Sequence, residues 1–144
     1  MTEQVIQVNG LIHQYGKTDA LNGASFHVPR GSVTGLLGPN GSGKTTAIHI
    51  LIGILRRSGG DVTVLGMDPE RDAVAIRGRI GFVPEDPHGE PLFTVNSQLN
   101  FLKAFYPSWD DALQQQMLEQ LDLDPGKKVK SLSRGERSKL ALIG

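Results

Sequence analysis

Gly38-Pro39-Asn40-Gly41-Ser42-Gly43-Lys44-Thr45-Thr46 constrains this 144-residue chain more than any other stretch. The run fits G-x-x-x-x-G-K-[ST], a pattern with a physical reason at each place. Glycines let successive backbone N–H groups curl around phosphate oxygens where a Cβ would clash. Lys44 brings a positive charge to β- and γ-phosphates, and Thr45 brings a hydroxyl for Mg²⁺. The helix that follows turns its positive N-terminus toward the same anion. The flanks suit such a loop. Val33–Leu37 reads as a short buried strand, and Lys44–Leu55 as a helix with Ile48, Leu51, Ile52 and Leu55 at helical spacing. The competing account is coincidence in a glycine-rich loop, yet this composition yields only about 0.01 such matches in a chain of this length. The run is therefore read as a nucleotide-phosphate site in an α/β fold.

Composition sharpens the same point. Of the 18 glycines, nine fall between Gly31 and Gly66, so the excess is local to the loop and its surroundings. A length of 144 residues suits one ordinary domain rather than two. With 38% hydrophobic and 21% charged residues the chain belongs with globular proteins rather than disordered ones. A formal net charge of zero lacks the electrostatic footprint of a general nucleic-acid binder. No apolar run approaches the roughly 20 residues that span a bilayer. The opening MTEQVIQVNG has neither the basic nor the apolar region of a secretory signal. The absence of cysteine excludes disulfides and thiolate metal sites, which makes the cytosol the default location.

Along the chain, Gln4–Val8, Leu11–Tyr15 and Ala24–Val28 read as short strands, with Asn9-Gly10 as a hairpin turn between the first two. Asp61–Leu65 reads as a further strand after Ser58-Gly59-Gly60. Asp68-Pro69-Glu70 has the form of a helix start, with the helix running to about Arg77, and Ile80–Val83 reads as a short buried strand. Val95–Tyr106, Asp110–Leu121 and Ser133 to Gly144 show helical character. The order is a β-rich start, an α/β core and a late helical segment. Asp86-Pro87-His88-Gly89 matches a D-x-x-G pattern of GTPases, but no N-K-x-D follows and a polar turn explains it better. No G-x-G-x-x-G run points to a dinucleotide.

Three more segments bear on the family. Tyr15-Gly16-x-x-x-Ala20-Leu21 precedes the phosphate loop, Ile80-Gly81-Phe82-Val83-Pro84-Glu85 follows it, and Leu132-Ser133-Arg134-Gly135-Glu136-Arg137 lies near the end. In this order and at these separations the chain resembles the ATP-binding subunit of an ABC (ATP-binding cassette) transporter, over essentially its whole length. The resemblance implies an α/β P-loop core with an N-terminal antiparallel β-subdomain and an inserted α-helical subdomain. Residues 1–85 would be the core and 86–144 the helical insertion up to the signature helix, within a single incomplete domain. Tyr15 would stack on adenine, although an ordinary hairpin tyrosine is an equal account of the residue by itself. Gly38, Pro39, Asn40, Gly41, Ser42, Gly43, Lys44, Thr45 and Thr46 would hold the phosphates of ATP, with Thr45 and Glu85 at Mg²⁺. Ser133 and the Gly135 amide would reach the γ-phosphate held by a second copy. A Ser133–Glu136 capping box is the plainer account of that segment, and both can hold. Lys44, Glu85 and Ser133 would be the catalytic contributors.

This sequence departs from the family pattern in three places. Glu85 stands where the family usually has glutamine, and an ionised carboxylate can bind metal but cannot donate a hydrogen bond. The signature segment reads Ser-Arg-Gly-Glu rather than Ser-Gly-Gly-Gln, with Arg134 either adding a phosphate contact or, the preferred reading, facing solvent. The strand that carries an Mg²⁺-binding Asp and a catalytic Glu in the family would follow the signature helix, within which this sequence stops. No residue here is assigned those roles, and His13, His27, His49 and His88 are read as ordinary core or surface histidines.

Five of the eight aromatics, Phe93, Phe101, Phe105, Tyr106 and Trp109, fall within 17 residues and read as the small core of the helical region. The resemblance adds a groove here for a membrane-spanning subunit, with Trp109 beside Pro107 as an exposed anchor. The Lys127, Lys128 and Lys130 run reads as a solvated loop. The expected function is ATP binding, with hydrolysis in a dimer that powers transport through a separate membrane subunit, from the inner face of the membrane. Two alternatives stand beside it: a soluble ABC-type ATPase outside transport, and a non-catalytic nucleotide-binding fragment.

Overall fold

A computed structural model describes residues 3–144, in two compact units that divide after Gly81. In the first unit, β1 (Gln4–Tyr15) lies between β2 (Thr18–Pro29) and β3 (Gly59–Val64), antiparallel to both. Asn9-Gly10 is not the hairpin turn that the sequence suggests. The strand runs straight through it, with a break in register between Val8 and Leu11 on one side and between Asn9 and Ile12 on the other. An Asn-Gly pair supplies a left-handed residue, Gly10 at φ 60°, and a bulge uses that freedom as well as a turn does. Reversal happens instead at Gly16-Lys17, closed by the Tyr15–Thr18 pair, with Gly16 at φ 62°.

Helix α1 (Lys44–Leu51) lays Ala47, Ile50 and Leu51 against Val8, Leu11, Leu21, Val62 and Val64, with Ile76 completing this core. The helix stops four residues earlier than its apolar spacing suggests. Gly53 takes φ 69° just beyond it, where a Cβ would lie 2.7 Å from that of Ala73. Helix α2 (Ala73–Arg77) starts after Asp72 rather than at Asp68. The Asp68 carboxylate is already engaged: it accepts from both terminal nitrogens of Arg57 at 3.0 and 2.8 Å and from the Glu70 amide at 2.8 Å. It makes a turn instead of a helix cap. The Arg57 hydrogen bond, then that of the Glu70 amide, hold this carboxyl down at about 2.

Two expected strands are absent. Val33–Leu37 carries no strand pairing, and Val33 and Leu37 are almost fully exposed, at 104% and 93%. Ile80–Val83 is likewise irregular. Apolar content alone does not make a strand: neither segment has a neighbouring backbone among the described residues to take up its N–H and C=O groups.

The second unit packs α3 (Val95–Lys103), α4 (Asp111–Gln120) and α5 (Arg134–Ile143) around Val95, Leu99, Leu118, Leu123, Val129, Leu132 and Leu140. Each of these helices starts on a side-chain cap. The side chain of Thr94 accepts from the Ser97 amide, that of Asp110 from Ala112 and Leu113, and that of Ser133 from Glu136. The core is aliphatic, contrary to the aromatic core read from the sequence. Phe93 and Trp109 pack against it, whereas Phe101, Phe105 and Tyr106 stay exposed. Trp109 is half-buried and donates from Nε1 to Gln114 Oε1 at 2.8 Å, so it is no free anchor. Nor is the lysine run wholly solvated, because Lys127 Nζ binds Glu136 Oε1 at 2.7 Å.

Candidate functional site

The site grows out of the start of α1. Gly43 caps this helix in the left-handed region, at φ 84°, and a Cβ there would meet the Ala20 carbonyl and lie 2.6 Å from Leu21 Cδ2. Glycine is thus required both by the turn and by the close approach to β2. At Gly38 a Cβ would sit 2.6 Å from Ser42 Oγ, so a side chain would fill the hollow of the loop. The Ser42 amide closes the loop by donating to the Pro39 carbonyl at 3.2 Å.

Lys44 follows directly. Its Nζ donates to the Gly38 and Pro39 carbonyls at 2.8 and 2.7 Å and lies 3.4 Å from Ser42 Oγ. The ammonium is therefore folded over the loop, above the same backbone whose N–H groups a phosphate would meet. Helix α1, like the short α2, has no side-chain cap and no acidic residue in its first turn, whereas α3, α4 and α5 carry the Thr94, Asp110 and Ser133 caps. A helix start of this kind leaves donors and positive partial charge for an anion. Thr45 is exposed, whereas Thr46 is buried against the core side.

The hairpin brings Tyr15 to this helix. Its hydroxyl lies 3.5 Å from Thr46 Oγ1 while the side chain stays half exposed. Its ring meets the His13 ring nearly at right angles, with centroids 4.6 Å apart. The first unit therefore gathers Tyr15, Gly38–Gly43, Lys44, Thr45 and Thr46. The contact of His13 with Tyr15 was missed in the sequence, although strand alternation puts residues two apart on one face.

Glu85, Ser133 and Gly135 lie in the second unit, all exposed. Ser133 Oγ accepts the Glu136 amide at 3.2 Å, and Glu136 Oε2 accepts the Ser133 amide at 2.8 Å, a complete capping box. Glu136 is held down at about 2, first by the Lys127 ammonium and then by Ser133. Arg134 does not simply face solvent. Its Nη2 lies 3.6 Å from the Glu85 carboxylate and 3.4 Å from the Glu85 carbonyl oxygen, which joins two of the three departures from the family pattern. His13 is buried, and His88 is exposed with Nε2 3.6 Å from Asp86.

Among the described residues no cluster of three or more His, Cys, Asp or Glu could hold a metal by itself, and no helix is long and apolar enough to cross a membrane.

Comparison with known proteins shows the family and the fold. The ABC transporter family matches residues 21–144. The daunorubicin resistance ATP-binding protein DrrA3 of Streptomyces coeruleorubidus is 37% identical over 150 residues, covering 99% of this chain and 46% of that protein. A solved ATP-binding subunit of an ABC transporter superposes with a TM-score of 0.83 at 23% identity, over 96% of this chain and 60% of the other. The cbiO1 protein of Clostridium perfringens, part of the ABC transporter complex cbiONQ, gives 0.78 at 26% identity, over 98% and 60%. The chain spans about half the length of the curated relatives it matches. The fold is that of ABC ATPase domains, antiparallel sheet and helices together in an α/β arrangement. With a family match over residues 21–144, the chain belongs to the ABC transporter family.

Proposed function

We propose that residues Gly38–Thr46 hold the triphosphate of ATP, and that the whole protein uses its hydrolysis to drive a separate membrane-spanning subunit. The observation that carries this reading is the uncapped, acid-free start of α1 behind a glycine loop with Lys44 folded over it. Gly38, Pro39, Asn40, Gly41, Ser42 and Gly43 would present backbone to the phosphates, and the hollow that a Cβ at Gly38 would fill supports that fit. Lys44 would leave the loop carbonyls for the β- and γ-phosphate oxygens. Tyr15, beside Thr46, would stack on the base.

A hard cation such as Mg²⁺ takes oxygen ligands, and the exposed Thr45 hydroxyl and the exposed Glu85 carboxylate would each be of that kind. When bound, Mg²⁺ supplies charge neutralisation at the transferring phosphoryl group. Ser133 and the Gly135 amide, exposed at the start of α5, would face the γ-phosphate of a second copy. There the Ser133 hydroxyl can still donate, because its capping role uses it as an acceptor. Lys44 and Ser133 would then stabilise charge as water attacks the γ-phosphate.

Exposed Phe101, Phe105 and Tyr106 offer apolar surface to a membrane-subunit partner, and membership of cbiO1 in a transporter complex supports such a partnership. The protein would then sit peripherally on the inner face of the membrane.

Calorimetric titration with Mg-ATP tests the reading. Lys44→Ala is expected to weaken binding by at least about tenfold, since a charge-assisted contact is lost, with an unchanged circular dichroism spectrum. Equal affinity in the two proteins would refute a phosphate role for this loop.

A further inference from the structure

His13 has no part in the function proposed so far, yet its surroundings are specific. It is buried, with 8% of its surface exposed, near the C-terminal end of the sheet's central strand. Its Nδ1 lies 2.8 Å from the carbonyl oxygen of Arg56, at the end of the α1–β3 connection. A carbonyl only accepts, so Nδ1 must carry the hydrogen. In the neutral ring Nε2 is then a bare acceptor, and it is buried without a hydrogen-bond partner among the described residues. A buried, unpaired acceptor is costly. A plain apolar residue would fill the same space without that cost, so packing alone does not account for a histidine here.

What the Nδ1 hydrogen bond does is fix the ring, and the fixed ring meets Tyr15. The two rings stand at 79° with centroids 4.6 Å apart, an edge-type contact of the favourable kind. On its other side Tyr15 places its hydroxyl 3.5 Å from Thr46 Oγ1, in the first turn of α1. Tyr15 thus meets His13 with its ring and lies beside Thr46 with its hydroxyl, while half of its surface remains open. Holding a side chain before its ligand arrives removes an ordering cost from binding.

We infer that His13 is a positioning residue that sets Tyr15 as the stacking platform for a nucleotide base. The inference rests on the reading of Tyr15 as the base-stacking residue. It assigns His13 to recognition of the base and not of the phosphates, because its ring contact goes to Tyr15 and its hydrogen bond to the Arg56 carbonyl.

The test compares ATP with inorganic tripolyphosphate, which lacks a base, each with Mg²⁺ and each titrated calorimetrically into the intact chain. His13→Ala is expected to weaken ATP about fivefold or more, in the range of base–aromatic stacking, and to leave tripolyphosphate binding unchanged. It should also shift the Tyr15 ring proton resonances and add nothing further in a Tyr15→Ala background. His13→Asn, whose amide nitrogen can still reach the Arg56 carbonyl, removes the ring while keeping that hydrogen bond, and is read the same way if the alanine variant does not fold. Equal weakening of both ligands, or weakening by Tyr15→Ala alone, would overturn the inference for His13 and leave base stacking intact. An unchanged ratio of the two affinities in Tyr15→Ala would instead remove the base-stacking reading, and this inference with it. Failure of the unaltered chain to bind either ligand would remove both.

Discussion

Charge at individual residues is spent here mostly on local order. Asp68 and Glu136 are both held at about 2, against ordinary values of 3.8 and 4.5, by Arg57 and Lys127 respectively. A carboxyl lowered on folding binds fewer protons folded than unfolded, so its stabilisation is complete above the ordinary value and fades as pH falls toward 2. Denaturant unfolding at pH 7, 4 and 2.5 should therefore show stability falling with acid, and falling less steeply in Asp68→Asn. A parallel fall in the two proteins would contradict the role given to Asp68. The Arg134–Glu85 pair is of another kind, since its side chains are 68% and 89% exposed. A double-mutant cycle with Arg134→Ala and Glu85→Gln should give a coupling below about 1 kcal/mol, as water screens both groups. The pair joins the two unusual motif residues without contributing much to stability.

At the scale of elements, helix ends divide the molecule's work. Three helices close their first turns with a side chain, and α5 does so with a full capping box. Ser133→Ala should cost about 1 kcal/mol in unfolding free energy, and a change under a few tenths would show that Glu136 and Lys127 suffice. Helix α1 forgoes this closure and begins on Gly43 at φ 84°. The same contrast explains which parts of the candidate site were legible in sequence. Gly38–Thr46 is local, since its glycines and lysine fold by contacts within a few residues, so motif and geometry coincide. The pairing of His13 with Tyr15 is also local to one strand, and its period was there to be read. Arg134 meeting Glu85 spans 49 residues and has no local signal. Asp68 shows the converse failure, because a helix-start pattern lost to an arginine eleven residues away.

For the molecule as a whole, the two units carry separate aliphatic cores with no shared residue. Leu11 and Leu99 are both fully buried, one in each core. Truncating either to alanine should cost about 2–5 kcal/mol. The double variant should equal the sum of the two within about 0.5 kcal/mol, as independent sites do. A larger departure would mean that the two cores share energy.

Sequence alone determined the glycine loop with its lysine, the Ser133–Glu136 capping box and the helical second half. Each depends on neighbours within a turn or two of chain, where residue type and backbone geometry are tightly linked. Only the tertiary structure decided which apolar runs become strands, which aromatics are buried, and where the hairpin turns. Val33–Leu37 has a strand's composition and no paired backbone among the described residues, while Asn9-Gly10 has a turn's composition and sits inside a strand paired on both sides. A strand is a property of two segments: its hydrogen bonds are satisfied by another part of the chain, and no single stretch of sequence says whether that partner is there.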